Sequence, residues 1–175
     1  MVMVLARTLL VLLWSPLLWA PGAIASLPAE VPSEVKADYI IVEKSKRRLT
    51  LLSKGRVLKT YPISLGRNPV GAKVREGDDR TPEGIYHIDY RLENSRYHRA
   101  LHISYPGPRD LERARRLGVP PGGDIMIHGI GEAREKIEGL HLLFDWTNGC
   151  IAVTDQEIEE IWRLTPVGTV VNIIP

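Results

Sequence analysis

From Asp38 onward the apolar residues come in short runs separated by polar turns, a spacing that belongs to strands rather than helices. Residues 39–42, 48–52 and 57–65 are rich in β-branched and aromatic side chains. Polar connectors at 44–47 and 53–56 join them, which predicts two consecutive hairpins. The basic residues from Lys44 to Arg48 read as a charged turn at a sheet edge, where lysine blunts unwanted pairing, in preference to a patch for an anionic polymer. Residues 66–84 are rich in glycine and charge, and the stretch is longer than loops usually run without regular structure, which marks it as functional. It ends in Thr81-Pro82-Glu83-Gly84. Residues 85–90 and 100–105 predict two more strands of alternating character, with His87 and His102 at polar, half-exposed positions.

Helical periodicity is confined to three places. Residues 108–117 form a charged helix stopped by Gly118, and residues 132–144 form a weaker one interrupted by Gly139. Thr154 and Glu157 make a capping box that opens the third helix, with Ile158, Ile161 and Trp162 on one face toward the sheet. Pro166 ends it, and residues 167–174 predict a closing strand. The sum is a mostly β single domain with two or three short helices and no internal repeat.

The first residues have a different character. Arg7 is followed by an apolar run to Ala20 that only Ser15 and Pro16 interrupt, and Ala23-Ile24-Ala25 supplies a small-x-small exit. This is the layout of a secretory signal, and it is shorter than the about 20 apolar residues of a membrane span. An uncleaved anchor is the alternative. The expected organisation is therefore a signal peptide at 1–25, a proline-containing linker at 26–37 and a working domain at 38–175 in a periplasmic or other extracytoplasmic compartment. A chain of 175 residues holds one such domain, and 44% apolar residues are enough to build its core. The balance of 23 basic against 21 acidic residues, net +2, makes no electrostatic case for nucleic acid.

Export sharpens the meaning of the cysteine count. Cys150 is the one cysteine, so no intrachain disulfide forms, and a lone thiol in an oxidising compartment is either buried or employed. Residues 124–129 read as a short strand ending in His128-Gly129, and Thr147-Asn148-Gly149-Cys150 is a turn opening into a second apolar run. On neighbouring strands, Cys150 would be a nucleophile and His128 its base. Gly149 lets the backbone turn tightly, so that amides from Asn148 to Cys150 could face a substrate carbonyl, and a thiol beside an imidazole can ionise at neutral pH. His141 lacks a glycine partner and ranks below His128. Asp145 and Trp146 read as residues that order the turn, and Tyr97, His98 and Arg99 as groove rim or plain surface. No C-x-x-C pair or metal-ligand spacing is present, so neither metal nor cofactor is expected.

The pattern His128-Gly129, a gap, then Thr147-x-Gly149-Cys150 and an apolar residue resembles the signature of the L,D-transpeptidase catalytic domain (YkuD) family. Thr81-Pro82-Glu83-Gly84 resembles that family's T-P-x-G stretch, and the likeness spans about residues 38–175. The resemblance implies a β-sandwich or barrel that acts on peptidoglycan stem peptides. Cys150 would form a thioester with the stem's diamino-acid residue, His128 would shuttle the proton, and the Gly129 carbonyl would orient the imidazole. Thr147, Asn148 and Gly149 would lie on the substrate side. Asn148 stands where many members have histidine, and Ala152 where they carry arginine or asparagine. Carboxylate binding is therefore assigned to Arg80, with Lys73 and Arg75 behind it. Trp146 to Val153 resemble the YafK-like branch, whose members look like hydrolases that release a wall-linked lipoprotein. An amine acceptor gives transpeptidation and water gives hydrolysis. The competing class is a non-catalytic peptidoglycan-binding module with Cys150 in its core.

Overall fold

The computed structural model describes residues 35–131 and 140–175, apart from the side chain of His141. The expected signal peptide, most of the linker and the greater part of the second expected helix lie outside the described residues. The strands are β1 (Tyr39–Glu43), β2 (Arg48–Ser53), β3 (Arg56–Pro62), β4 (Gly84–Ser95), β5 (His98–Ile103), β6 (Met126–His128), β7 (Ile151–Ala152) and β8 (Val170–Ile174). The helices are α1 (Pro108–Leu117) and α2 (Asp155–Leu164). Among the described residues these eight strands make one curled sheet in the order β3-β2-β1-β8-β4-β5-β6-β7. The mostly β expectation holds.

The meander β1-β2-β3 is antiparallel, as its polar connectors require, and β8 runs parallel to β1 with Tyr39 opposite Val170. The long strand β4 joins the two halves. Residues 84–87 pair with β8, and from Ile88 onward, across a bulge at Ile88/Tyr90, the strand pairs with β5. Ile40, Val42, Leu49, Leu51, Ile88 and Val171 fill the core with no exposed surface. Burial of side chains this size contributes roughly 1.5–3 kcal/mol each.

Both helices keep the boundaries that their caps dictate. Gly118 ends α1 in the left-handed conformation, and Thr154 Oγ1 accepts from the Glu157 N–H while the Glu157 carboxylate accepts from the Thr154 N–H. Ile158, Ile161 and Leu164 of α2 are buried, and α2 lies against β5 and β6. Within the second expected helical region, Leu140–Leu143 form a single 3-10 turn.

Four expectations are corrected. Ala37, placed in the linker, is buried and its N–H donates to the Leu164 carbonyl at 2.8 Å, so the domain begins before Asp38. The β4–β5 hairpin is longer at its tip than the apolar alternation shows, because residues 91–99 extend it with mostly polar, exposed side chains. His102 is buried rather than half-exposed. Leu101 and Ile103 pack on the core while His102 stacks on Tyr90 at 4.2 Å and contacts Asp89 at 2.6 Å, so both faces of β5 are covered. One member of the basic cluster, Lys44, turns inward while Lys46 stays exposed. Lys44 is 2% exposed and its ammonium donates to the Gly71 and Thr81 carbonyls at 2.7 and 3.1 Å and to Glu83 at 2.8 Å. It ties the long 66–84 loop to the first hairpin.

Replacing Lys44 by Met would leave the Glu83 carboxylate and two carbonyls without their donor. The expected loss is about 3 kcal/mol, read as a lower urea midpoint. A loss below about 1 kcal/mol would show that the loop does not depend on this ammonium.

Candidate active site

The pairing of β6 with β7 is parallel, with Ile127 opposite Ile151 and His128 opposite Ala152. Side chains in register share a face and alternate along each strand, so counting back two residues puts Cys150 on the same face as Met126 and His128. That face borders a groove of about 980 Å³ lined by both His128 and Cys150. Thus the structure brings together the two residues singled out for chemistry.

The tiny β7 is held from its other side too. Ser64 and Ala152 exchange N–H···O bonds of 2.9 Å, and Arg67 N–H donates to the Thr147 carbonyl at 3.0 Å. Asp145 opens this segment and is gripped by Arg47, whose Nη2 lies at 2.6 Å and whose Nε lies at 3.1 Å from both carboxylate oxygens. The same carboxylate accepts from the Leu65 N–H at 2.9 Å. Asp145 therefore does order the turn, through a partner on the first hairpin. Trp146 is 8% exposed yet reaches the groove, edge-on to the His128 ring at 5.9 Å.

Within the turn, the Thr147 hydroxyl donates to the Cys150 carbonyl at 2.8 Å and accepts from the Gly149 N–H at 3.1 Å. Both Thr147 and Gly149 are thus engaged in shaping the loop. Gly149 has φ +128, and a Cβ there would meet the Arg80 carbonyl at 2.6 Å, so only glycine fits. Gly66 is equally confined, with a would-be Cβ 2.2 Å from the Asp79 carbonyl. The long loop passes its 79–80 backbone directly beneath the cysteine turn. Asn148 is exposed and its side-chain oxygen accepts from Arg67.

His128 Nδ1 lies 2.5 Å from the Gly129 carbonyl. A carbonyl only accepts, so Nδ1 carries the hydrogen and Nε2 is the basic nitrogen of the neutral ring. Gly129 is held in turn. A Cβ there would meet Asp155 Oδ1 at 2.2 Å, and that carboxylate accepts from the Ile130 and Gly131 N–H groups at 2.7 and 3.1 Å. Tyr97 stacks on the imidazole at 4.4 Å and rims the groove.

The thiol donates to the Asp124 carbonyl at 3.4 Å. Burial pushes the Cys150 thiol above its ordinary value and the Asp124 carboxylate adds to that rise, while the Met126 N–H on the sulfur and the cations Lys73 and Arg96 pull the other way without cancelling it. These influences favour the thiol over the thiolate that a cysteine next to histidine suggests, so attack by this sulfur would require its proton to be taken up.

The cations differ most from the sequence reading. Arg80 sends its carbonyl under Gly149 and its guanidinium toward Gly71, and the side chain does not line the groove. Lys73 is buried against Asp78 at 2.8 Å. Burial alone would raise the Asp78 carboxyl, but Lys73 and the N–H groups of Val74, Arg75 and Arg80 outweigh it and hold the group at about 2. The guanidinium groups that do line the groove belong to Arg67 and Arg96. Neither stands out in sequence, since each sits among other charged residues. His98 pairs with Glu159 at 2.6 Å away from the thiol, and His141 contributes no described side chain.

Fold and motif together define a mostly β enzyme domain with a histidine on β6 and a cysteine in the turn that opens β7. The model of the L,D-transpeptidase catalytic domain, YkuD, matches residues 37–173, and the chain belongs to that family. It is an enzyme of peptidoglycan metabolism. YqjB of Bacillus subtilis (strain 168) is 31% identical over 133 residues, covering 75% of this chain and 68% of YqjB. YafK of Escherichia coli (strain K12) is 31% identical over 132 residues, covering 71% of this chain and 46% of YafK. The helical cell shape determining protein Pgp2 from Campylobacter jejuni shares the fold at a TM-score of 0.61 and 22% identity, over 80% of this chain and 48% of Pgp2. The chain thus spans about half the length of YafK and of Pgp2.

Two outcomes follow. A raised thiol value means that the thiolate fraction falls about tenfold for each pH unit below it, so alkylation of Cys150 by iodoacetamide should keep accelerating to beyond pH 9. A plateau below pH 8 would show a preformed thiolate instead. The Arg47–Asp145 grip is partly exposed, so a double-mutant cycle with Arg47→Gln and Asp145→Asn should give a coupling of about 1 kcal/mol in urea unfolding. A coupling near zero would remove it as the clasp of this loop.

Proposed function

We propose that the domain is a cysteine acyl-transferase of peptidoglycan remodelling, with Cys150 as nucleophile and His128 as general base. The observation that carries this reading is the parallel β6–β7 register, which sets the two side chains on one face beside one groove. Nε2 takes the thiol proton as the sulfur attacks the carbonyl of the diamino-acid residue in a stem peptide. The tetrahedral intermediate collapses with cleavage of the C–N bond, the imidazolium returns its proton to the departing D-alanine amine, and a thioester remains. With the Gly149 N–H already given to Thr147, the backbone amides of Asn148 and Cys150 are the donors proposed for the oxyanion. An incoming amine, deprotonated by His128, completes transpeptidation. Water at the same point gives hydrolysis, and release of a wall-linked lipoprotein is one form of it. The same reading gives residues 1–25 the role of a leader that delivers the domain outside the cytoplasm, and residues 26–34 that of a tether.

Intact-mass measurement after incubation with a carbapenem should show a covalent adduct that Cys150→Ser abolishes and His128→Ala slows by at least about a hundredfold. Incubation with defined stem peptides and a lipoprotein-linked fragment, with and without an amine acceptor, then distinguishes transfer from hydrolysis by product mass. Binding of wall fragments with neither adduct nor turnover would replace this reading with the non-catalytic module.

A further inference from the structure

The His128 imidazole is packed by two aromatic rings that come from outside β6. Tyr97 lies along its face, with centroids 4.4 Å apart and planes 25° from parallel, and Trp146 stands edge-on at 71°. Tyr97 belongs to the tip of the β4–β5 hairpin, and the backbone of that tip rests on the loop that follows His128. A Cβ on Gly129 would lie 2.9 Å from the Tyr97 carbonyl oxygen, and one on Gly131 would lie 3.0 Å from the Tyr97 Cα. The Gly129 N–H donates to the Arg99 carbonyl at 3.3 Å. Arg96 covers the Tyr97 ring at 4.7 Å and donates to its hydroxyl, which keeps that ring from turning.

The tip is anchored in turn on α2. His98 takes φ +71, a conformation that a residue with a side chain keeps only where its surroundings hold it. Glu159 of α2 does the holding, with its carboxylate 2.6 Å from His98 Nε2 and 3.0 Å from Arg99 Nε. One turn further along, the Trp162 ring lies under the Arg91 guanidinium at 3.9 Å, and the Trp162 carbonyl accepts from the same group at 2.8 Å. Glu159 does not line the groove beside Cys150.

Resting on the reading that His128 is the base for Cys150, we propose that Tyr97 is a positioning residue that fixes the imidazole plane, and that Glu159 acts through it from α2. The hydrogen bond from Nδ1 to the Gly129 carbonyl fixes one point of the ring but leaves its plane free to tilt, which would swing Nε2 away from the sulfur. A ring stacked on the imidazole face stops that tilt. When Nε2 takes the thiol proton, the imidazolium that forms also lies on a π face, which attracts a cation.

Acylation of Cys150 by a carbapenem, followed by intact mass over a range of concentrations, separates the maximal rate from the half-saturating concentration. Tyr97→Leu should lower the maximal rate by about tenfold or more, because small misplacements of a reacting group are costly. Tyr97→Phe, which keeps the stacked ring, should recover most of that loss. Glu159→Gln weakens two exposed ion pairs, so it should cost about threefold in maximal rate and leave the half-saturating concentration unchanged. Since Glu159 works through Tyr97, the double variant should be no slower than Tyr97→Leu alone, whereas a merely loosened fold would make the losses multiply. Multiplied losses, or an unaltered maximal rate in Tyr97→Leu, overturn the inference and leave the acyl-transfer reading standing. Should Tyr97→Leu fail to fold, Glu159→Gln decides alone, and a maximal rate equal to that of the intact protein overturns the inference. A folded intact protein that forms no adduct ends the acyl-transfer reading and this inference with it.

Discussion

Everything chemical in this domain depends on a parallel pairing only two residues long. The register of β6 against β7 decides that His128 and Cys150 face the same way, yet so short a ladder supplies little stability by itself. Its rigidity is borrowed. Ser64 bonds β7 from the far side, Arg47 fastens Asp145 ahead of the turn, and Asp155 at the start of α2 holds the backbone that carries the imidazole's acceptor. A geometry that must hold to within a fraction of an ångström is thus built from a weak element wedged among strong ones.

The electrostatics of the groove follow the same division. The sulfur sits where burial and a neighbouring carboxylate disfavour its anion, so the resting enzyme keeps a quiet thiol. A protonated sulfur limits chance oxidation, because it is the thiolate that reacts. In the proposed reaction, activation falls to the imidazole, whose tautomer is set by a backbone carbonyl that cannot titrate. No acidic third member is needed to fix the hydrogen on Nδ1.

What the sequence discloses and what it hides separate by range. The meander, both helix caps and the histidine–cysteine motif are written locally, in alternation, in Thr154 with Glu157, and in Gly118, and all of these are visible before folding. Lys44 and Arg47 look like surface charge because their partners lie dozens of positions away in Glu83 and Asp145. The long tip of the β4–β5 hairpin escapes detection because a wall facing solvent needs no apolar alternation. Arg80 and Arg96 are indistinguishable by type. Only the packing of Gly149 over the Arg80 carbonyl shows that one turns from the groove while the other overlooks it.

The placement of β8 sets the order in which the molecule can come into being. Residues 170–174 lie between β1 and β4 and complete the sheet, although every other described strand precedes them in the chain. While the ribosome is still making them, the nascent polypeptide holds a loose meander and a separate hairpin with open edges, and neither can close a core. Closure of the core therefore waits for β8, and the strands made before it stay open to rearrangement until it pairs.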